Sequence, residues 1–274
     1  MQIQVTQPAG EAGLITVVDG LLDAEYCSRF IERLATVWDR SHQGKTLSGV
    51  NWATKTTEDI HVSEYAFREL GIEYDYKWHD LEMHFANGLI SAVSMYKQQY
   101  RHLDTWTDIG DTGFQVQKYH RNFGYYRPHV DSFPSHNSSV ANRVLASVMY
   151  LNDVEHGGET NFPLHGVKVT PRAGRIVLFP AVWTHPHESC VPISGDKWII
   201  STFIVNDYYD ENGQAVDQSQ HQEVHSNDEH FHPSPGHDHD HPIVLSNQNE
   251  LLQREHYHKC VQCANNEAHE CTVL

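Results

Sequence analysis

Apolar positions recur at two different periods along the chain, and the change between them divides it. Over residues 23–38, Tyr26, Phe30, Leu34 and Val37 return every three to four positions, with Asp23 placed to cap the first turn. That spacing predicts a helix with one apolar face. Over residues 78–102, Leu81, Phe85, Leu89, Val93, Tyr96 and Tyr100 repeat it and predict a longer helix. Both stripes read as helices covering a sheet. From about residue 113 the period falls to two, predicting strands over 113–120, 126–132, 143–151, 166–170, 175–180, 185–191 and 197–206. Turn signals separate them: Asn122-Phe123-Gly124, Glu155-His156-Gly157-Gly158, Pro171-Arg172-Ala173-Gly174 and Ser194-Gly195-Asp196. Many short strands between glycine turns predict a jelly-roll-like double sheet, and helices preceding strands place the chain in the α+β class.

The alternation ends near residue 208, where composition turns polar; residues 221–274 hold ten of the 22 histidines. The expected division is a helical support region over 1–112, a β core over 113–208 and a polar, His-rich tail over 209–274. Such a tail lacks the apolar residues for a core of its own and reads as solvated chain that can hold divalent metal loosely. Its end carries Cys260-Val-Gln-Cys263, then His269 and Cys271. This resembles a zinc knuckle in its C-x-x-C opening and is a candidate structural zinc site, with free thiols or a redox pair as alternatives.

Nineteen basic against 36 acidic residues give a formal charge of −17, which argues against gripping nucleic acid through a broad basic surface. No run approaches the roughly 18 apolar residues of a membrane span. Met1–Pro8 lacks a basic stretch followed by an apolar one, and the five cysteines are an odd number. These features lead us to expect a soluble cytoplasmic protein with no membrane or nucleic-acid partner.

The strands carry the candidate chemistry. His129 and Asp131 are two apart in a predicted strand, so both can face one metal ion. His187 supplies a third ligand, and His185, two residues away, competes for that role. Asp196 and Glu188 are further carboxylates that spacing does not single out. Two histidines and one carboxylate on one face of an octahedral ion leave three positions open, enough for a bidentate co-substrate and O2. Lys197 enters an otherwise apolar strand, Trp198–Val205. It either packs its stem and reaches solvent, or forms a buried salt bridge with a carboxylate ligand. Tyr119 could donate to the same carboxylate or be an ordinary core tyrosine.

Taken in order, these residues match a family pattern. Tyr119 and then Tyr126-Arg-Pro-His129-Val-Asp131 match a tyrosine followed by Y-x-x-H-x-D. Arg143, Tyr150 and Leu151 match R-x-x-T-x-x-x-Y-L, with Ala146 at the threonine position. Gly157-Gly-Glu-Thr160-Asn-Phe162, then Pro171, Gly174 and Phe179, then His187, Cys190, Gly195, Lys197 and Trp198 complete it. Over roughly residues 113–206 the chain resembles the iron(II)- and 2-oxoglutarate-dependent dioxygenases, in their prolyl 4-hydroxylase-like branch. It departs from the pattern at Ala146, at Val191-Pro192, which reverses the usual order, and at Phe203, where a second tryptophan is common.

The resemblance implies a double-stranded β-helix core with Fe(II) held by His129, Asp131 and His187. It implies 2-oxoglutarate as co-substrate, its far carboxylate on Lys197 and Tyr119, and ascorbate as a rescuer of idle turnover. It implies hydroxylation of a peptidyl proline with release of succinate and CO2, so that the partners are O2 and a peptide or protein. Another amino-acid side chain, a free amino acid or a nucleotide is the alternative target. A metal-binding or interaction protein working through its tail is the alternative class. Tyr126, Arg143 and Trp183 are the candidate substrate residues, each with sheet packing or core pairing as its plainer role.

Overall fold

Two antiparallel sheets face each other in a computed structural model that describes residues 3–6, 13–46, 48–106, 109–134 and 138–206. In chain order the elements begin with β1 (Gln4–Thr6), β2 (Thr16–Asp19), helix α1 (Ala24–Ala35), β3 (His42–Gln43), β4 (Lys45–Thr46), β5 (Gly49–Val50) and β6 (Thr57–Val62). Helices α2 (Glu64–Glu69) and α3 (Tyr76–Gln99) follow, then β7 (Ile109–Asp111), β8 (Phe114–Tyr119) and β9 (Tyr126–His129). A single-turn helix, α4 (Ser138–Ala141), leads to β10 (Arg143–Tyr150), β11 (Thr160–Phe162), β12 (Val167–Val169), β13 (Ile176–Pro180), β14 (His187–Ser189) and β15 (Lys197–Asn206). The larger sheet runs β1-β2-β13-β10-β15-β8-β6-β3, with β7 also on β15; the smaller runs β12-β11-β14-β9.

Alternation along the strands builds two cores. On one face of the large sheet, Ile60, Val116, Leu145, Met149, Ile176, Leu178 and Ile200 meet Phe30 and Leu34 of α1 and Trp78, Leu81, Phe85 and Leu89 of α3. The helices form where the apolar stripes predicted them, and each has a carboxylate cap. Asp23 accepts from the Glu25 amide, and Asp75 accepts from the Lys77 and Trp78 amides. On the opposite face, Tyr119, Ala146, Tyr150, Val177, Phe179 and Ile199 pack toward Phe162, Val167 and Val169 of the small sheet. This inter-sheet space holds the site.

The N-terminal region contributes more than the helical support expected of it. Strands β1 and β2 extend one end of the large sheet, and β6 lies beside β8 at the other. Strand β6 escapes a reading by apolar alternation because its inward residues, Thr57 and Asp59, are polar and fully buried. Arg175 clamps β2 to the sheet with two bonds to the Asp19 carboxylate, both 2.8 Å. Gly174 beside it has φ 79°, and a Cβ there would lie 2.4 Å from the Leu22 carbonyl oxygen, so both backbone conformation and space demand glycine. The tail over 209–274, with Cys260, Cys263, His269 and Cys271, lies outside the described residues.

Candidate metal centre

Strands β9 and β14 pair so that His129 and His187 are direct cross-strand partners. Asp131 follows β9, and its amide donates to the Ala181 carbonyl at 3.0 Å. The three side chains converge: Asp131 Oδ1 lies 3.5 Å from His129 Nε2, and Oδ2 lies 3.3 Å from His187 Nε2. One ligand atom from each lies within 4.8 Å of the other two.

The donor chemistry fits a divalent ion. His129 Nδ1 is 2.7 Å from the Arg127 carbonyl, and His187 Nδ1 is 3.2 Å from the His185 carbonyl. An Nδ1–H directed at a carbonyl leaves Nε2 with its lone pair toward the centre, the tautomer a metal needs. Burial pushes the His187 imidazole down to about 4, so it is neutral at ordinary pH. Burial alone would raise the Asp131 carboxyl, but His187, His129 and Arg143 bring it down to about 2.

His185 takes no part in the cluster. Its Nε2 lies 2.8 Å from the Gly13 carbonyl, its Nδ1 2.9 Å from Thr184 Oγ1, and its ring stacks on His165. The chain bends ahead of β14, so the two-residue offset does not carry His185 to the face of His187. The other carboxylates are also engaged elsewhere. Asp196 accepts from the Arg121 amide and pairs with Lys118, and Glu188 accepts from Asn161.

Lys197 is 1 % exposed. Its Nζ donates to the Gly158 carbonyl at 2.9 Å and to Ser189 Oγ, and lies 4.0 Å from the centre of the Tyr119 ring. No carboxylate of the described residues forms a salt bridge with it. Burial pushes its ammonium down to about 7. The ring contact follows from register, since Lys197 and Tyr119 are cross-strand partners. Gly158 has φ 75°, and a Cβ there would lie 3.4 Å from Lys197 Cδ. The wall of this pocket includes Tyr150, hydrogen-bonded to Thr160 at 2.6 Å. Ala146 is buried in register between Phe179 and Phe203, with no hydroxyl to offer.

The candidate substrate residues separate by position. The Tyr126 ring stacks on His129 with centres 3.6 Å apart. Arg143 Nη1 donates to the Asp131 carbonyl at 3.2 Å, and its guanidinium lies 3.8 Å from the Phe203 ring centre. Trp183 is 74 % exposed and so does not pack in the sheet. Sequence reasoning missed a buried pair, Lys55 and Asp59, joined at 2.7 Å, with Lys55 Nζ 5.1 Å from the Tyr126 ring centre. The available signal was polar alternation, Lys55-x-Thr57-x-Asp59 and Gln115-x-Gln117-x-Tyr119, which puts each set on one face of its strand; that the face is inward follows from the pairing of β6 with β8.

Residues 114–205 match the 2OG-Fe(II) oxygenase superfamily. The chain is 31 % identical over 109 residues to prolyl 4-hydroxylase 13 of Arabidopsis thaliana, covering 31 % of this chain and 40 % of that one. It is 27 % identical over 133 residues to prolyl 4-hydroxylase subunit alpha-1 of Homo sapiens, covering 44 % and 24 %. The match thus spans about two-fifths of the length of the first of these relatives. The fold is similar to that of a viral collagen prolyl hydroxylase from Paramecium Bursaria Chlorella virus-1, with TM-score 0.51, 17 % identity and coverage of 72 % of this chain and 98 % of that one. It is also similar to a Trichoplax adhaerens prolyl hydroxylase solved with a hypoxia inducible factor peptide fragment, with TM-score 0.55, 16 % identity and coverage of 70 % and 83 %.

Proposed function

We propose, from residues 114–205 as a prolyl 4-hydroxylase-like domain of the 2OG-Fe(II) oxygenase superfamily, that this protein hydroxylates a peptidyl proline at the expense of 2-oxoglutarate and O2. The observation that carries the reading is a pairing within one inter-sheet pocket. Two imidazoles and a carboxylate converge there, and a buried ammonium stands by without an anionic partner among the described residues. His129, Asp131 and His187 would hold iron, which when bound supplies oxygen activation coupled to decarboxylation of the 2-oxo acid. Lys197 would receive the carboxylate remote from the metal, with Tyr119 donating a hydrogen bond to it. The pairing restores the charge that burial now suppresses. Tyr126, stacked on His129, would form one wall of the substrate position, and Arg143 would hold the Asp131 segment in place by its carbonyl.

Relatives named as prolyl 4-hydroxylases support proline over other targets. The test is incubation of the full chain with Fe(II), 2-oxoglutarate, ascorbate and a panel of proline-rich peptides. Succinate and a peptide mass gain of one oxygen are then measured together. Equal yields of the two support the reading. Succinate formation that no proline peptide stimulates, but a free amino acid or a nucleotide does, moves the target to that class.

A further inference from the structure

The Tyr119 hydroxyl is the end of a row of side chains. It donates to Gln117 Oε1 at 2.8 Å, Gln117 Nε2 donates to Gln115 Oε1 at 2.7 Å, and Gln115 Nε2 lies 3.2 Å from His61 Nε2. Register explains the row. Residues 115, 117 and 119 alternate onto the inner face of β8, and His61 of β6 is the cross-strand partner of Gln115. One end is exposed at His61; the other is buried against Lys197.

We infer that Gln117 is a positioning residue that sets co-substrate affinity by holding the proton of Tyr119. The inference rests on the proposed contact of Tyr119 and Lys197 with 2-oxoglutarate. A side-chain amide has one donor end and one acceptor end, so the orientation of each link dictates the next. In the row as it stands every proton points away from Lys197. A tyrosine has a single proton, and donation to Gln117 withholds it from a carboxylate arriving at Lys197. Binding therefore requires the row to turn over. Gln117 Nε2 then donates to Tyr119, Gln115 Nε2 to Gln117 Oε1, and His61 Nε2–H to Gln115 Oε1. The reversed row keeps the glutamine links but gives up the Tyr119 bond to Gln117 Oε1 and moves the His61 proton to Nε2, so turning over costs free energy that co-substrate binding must supply. The side chains thus offer two hydrogen-bonded states, and co-substrate selects one.

The experiment is calorimetric titration of 2-oxoglutarate into the Mn(II)-loaded full chain under argon, where no turnover occurs. Gln117→Leu removes the internal acceptor and is expected to tighten binding roughly three- to tenfold, the worth of one neutral hydrogen bond. Gln115→Leu cuts the row one link further out and is expected to act in the same direction. It carries the test if Gln117→Leu does not fold, since Gln115 is only half-buried. In a Tyr119→Phe background, which itself weakens binding, Gln117→Leu should have no further effect. Unchanged or weaker binding in a folded Gln117→Leu protein overturns the inference, as does an equal effect of that change beside Tyr119 and beside Phe. If Tyr119→Phe leaves affinity unchanged, the proposed contact of Tyr119 with 2-oxoglutarate fails and the inference falls with it. A loss in Tyr119→Phe without coupling to Gln117 overturns the inference alone.

Discussion

Replacing Lys197 by methionine should move stability and co-substrate affinity in opposite directions. Burial takes the ammonium from its ordinary 10.5 down to about 7. At ~1.36 kcal/mol per pKa unit, the folded protein near neutral pH carries a penalty of roughly 4 kcal/mol for that charge. Methionine has a similar stem and no charge. Its introduction leaves the Gly158 carbonyl and Ser189 Oγ without their donor, at about 1 kcal/mol each. The net expectation is a gain of about 2 kcal/mol, or roughly 4–8 °C in Tm for a domain of this size. Differential scanning calorimetry without metal or co-substrate reads it directly. The pH dependence has a defined sign. Between about 7 and 10.5 the unfolded lysine binds more protons than the folded one, so wild-type stability rises with pH across that window. The advantage of methionine is therefore full below pH 7 and closes toward 10.5. Affinity for 2-oxoglutarate, in contrast, should fall about a hundredfold, the loss expected when one partner of a buried charge pair is removed. A Lys197→Met protein that is less stable than wild type would show that the buried ammonium carries no such penalty, and one that binds 2-oxoglutarate as tightly would show that Lys197 does not meet its carboxylate.

Alanine at His129, Asp131 or His187 should abolish metal-dependent turnover, whereas His185→Ala should leave metal binding within a few-fold of wild type, as equilibrium dialysis would show. If His185→Ala loses metal and His187→Ala keeps it, the ligand assignment is reversed. Because burial holds His187 down at about 4, protonation of this ligand should not release metal until pH falls toward about 4; a His187 ring found protonated near 6.5 by NMR titration of the metal-free protein would contradict this. Gly174→Ala should destabilise by about 2–4 kcal/mol in urea unfolding, through a left-handed backbone and a clash with the Leu22 carbonyl. A shift below about 0.5 kcal/mol would mean that β2 and β13 adjust freely at that corner.

The residues that fill the outer core were legible because burial there is apolar and periodic. The stripes at Phe30 and Leu34 and at Leu81, Phe85 and Leu89 foretold both long helices and their buried faces. Strands β8 to β10 and β12 to β15 were legible for the same reason, with boundaries close to those observed, whereas the three-residue β11 was not among the expected strands. The metal ligands were legible because His129-x-Asp131 on a strand is a short-range geometric statement. His187 over His185 was not decided by spacing. The bend before β14 decided it, by sending His185 toward Gly13. The N-terminal strands were hidden for a different reason. Strand β6 turns Thr57 and Asp59 inward, and its place beside β8 depends on pairing with residues some 55 positions away in the chain. The same long-range register makes one row of Tyr119, Gln117, Gln115 and His61, which no local reading could assemble.

Joint binding of iron and 2-oxoglutarate at His129, Asp131 and His187 can be read by anaerobic titration of the metal-free protein with Fe(II) and then 2-oxoglutarate, followed by visible absorption. A 2-oxo acid chelated to ferrous iron gives a weak metal-to-ligand charge-transfer band. The band should appear only when both are present, be absent in His187→Ala, and need far more 2-oxoglutarate in Lys197→Met. No band with both components saturating, or an undiminished band in His187→Ala, would contradict this assignment.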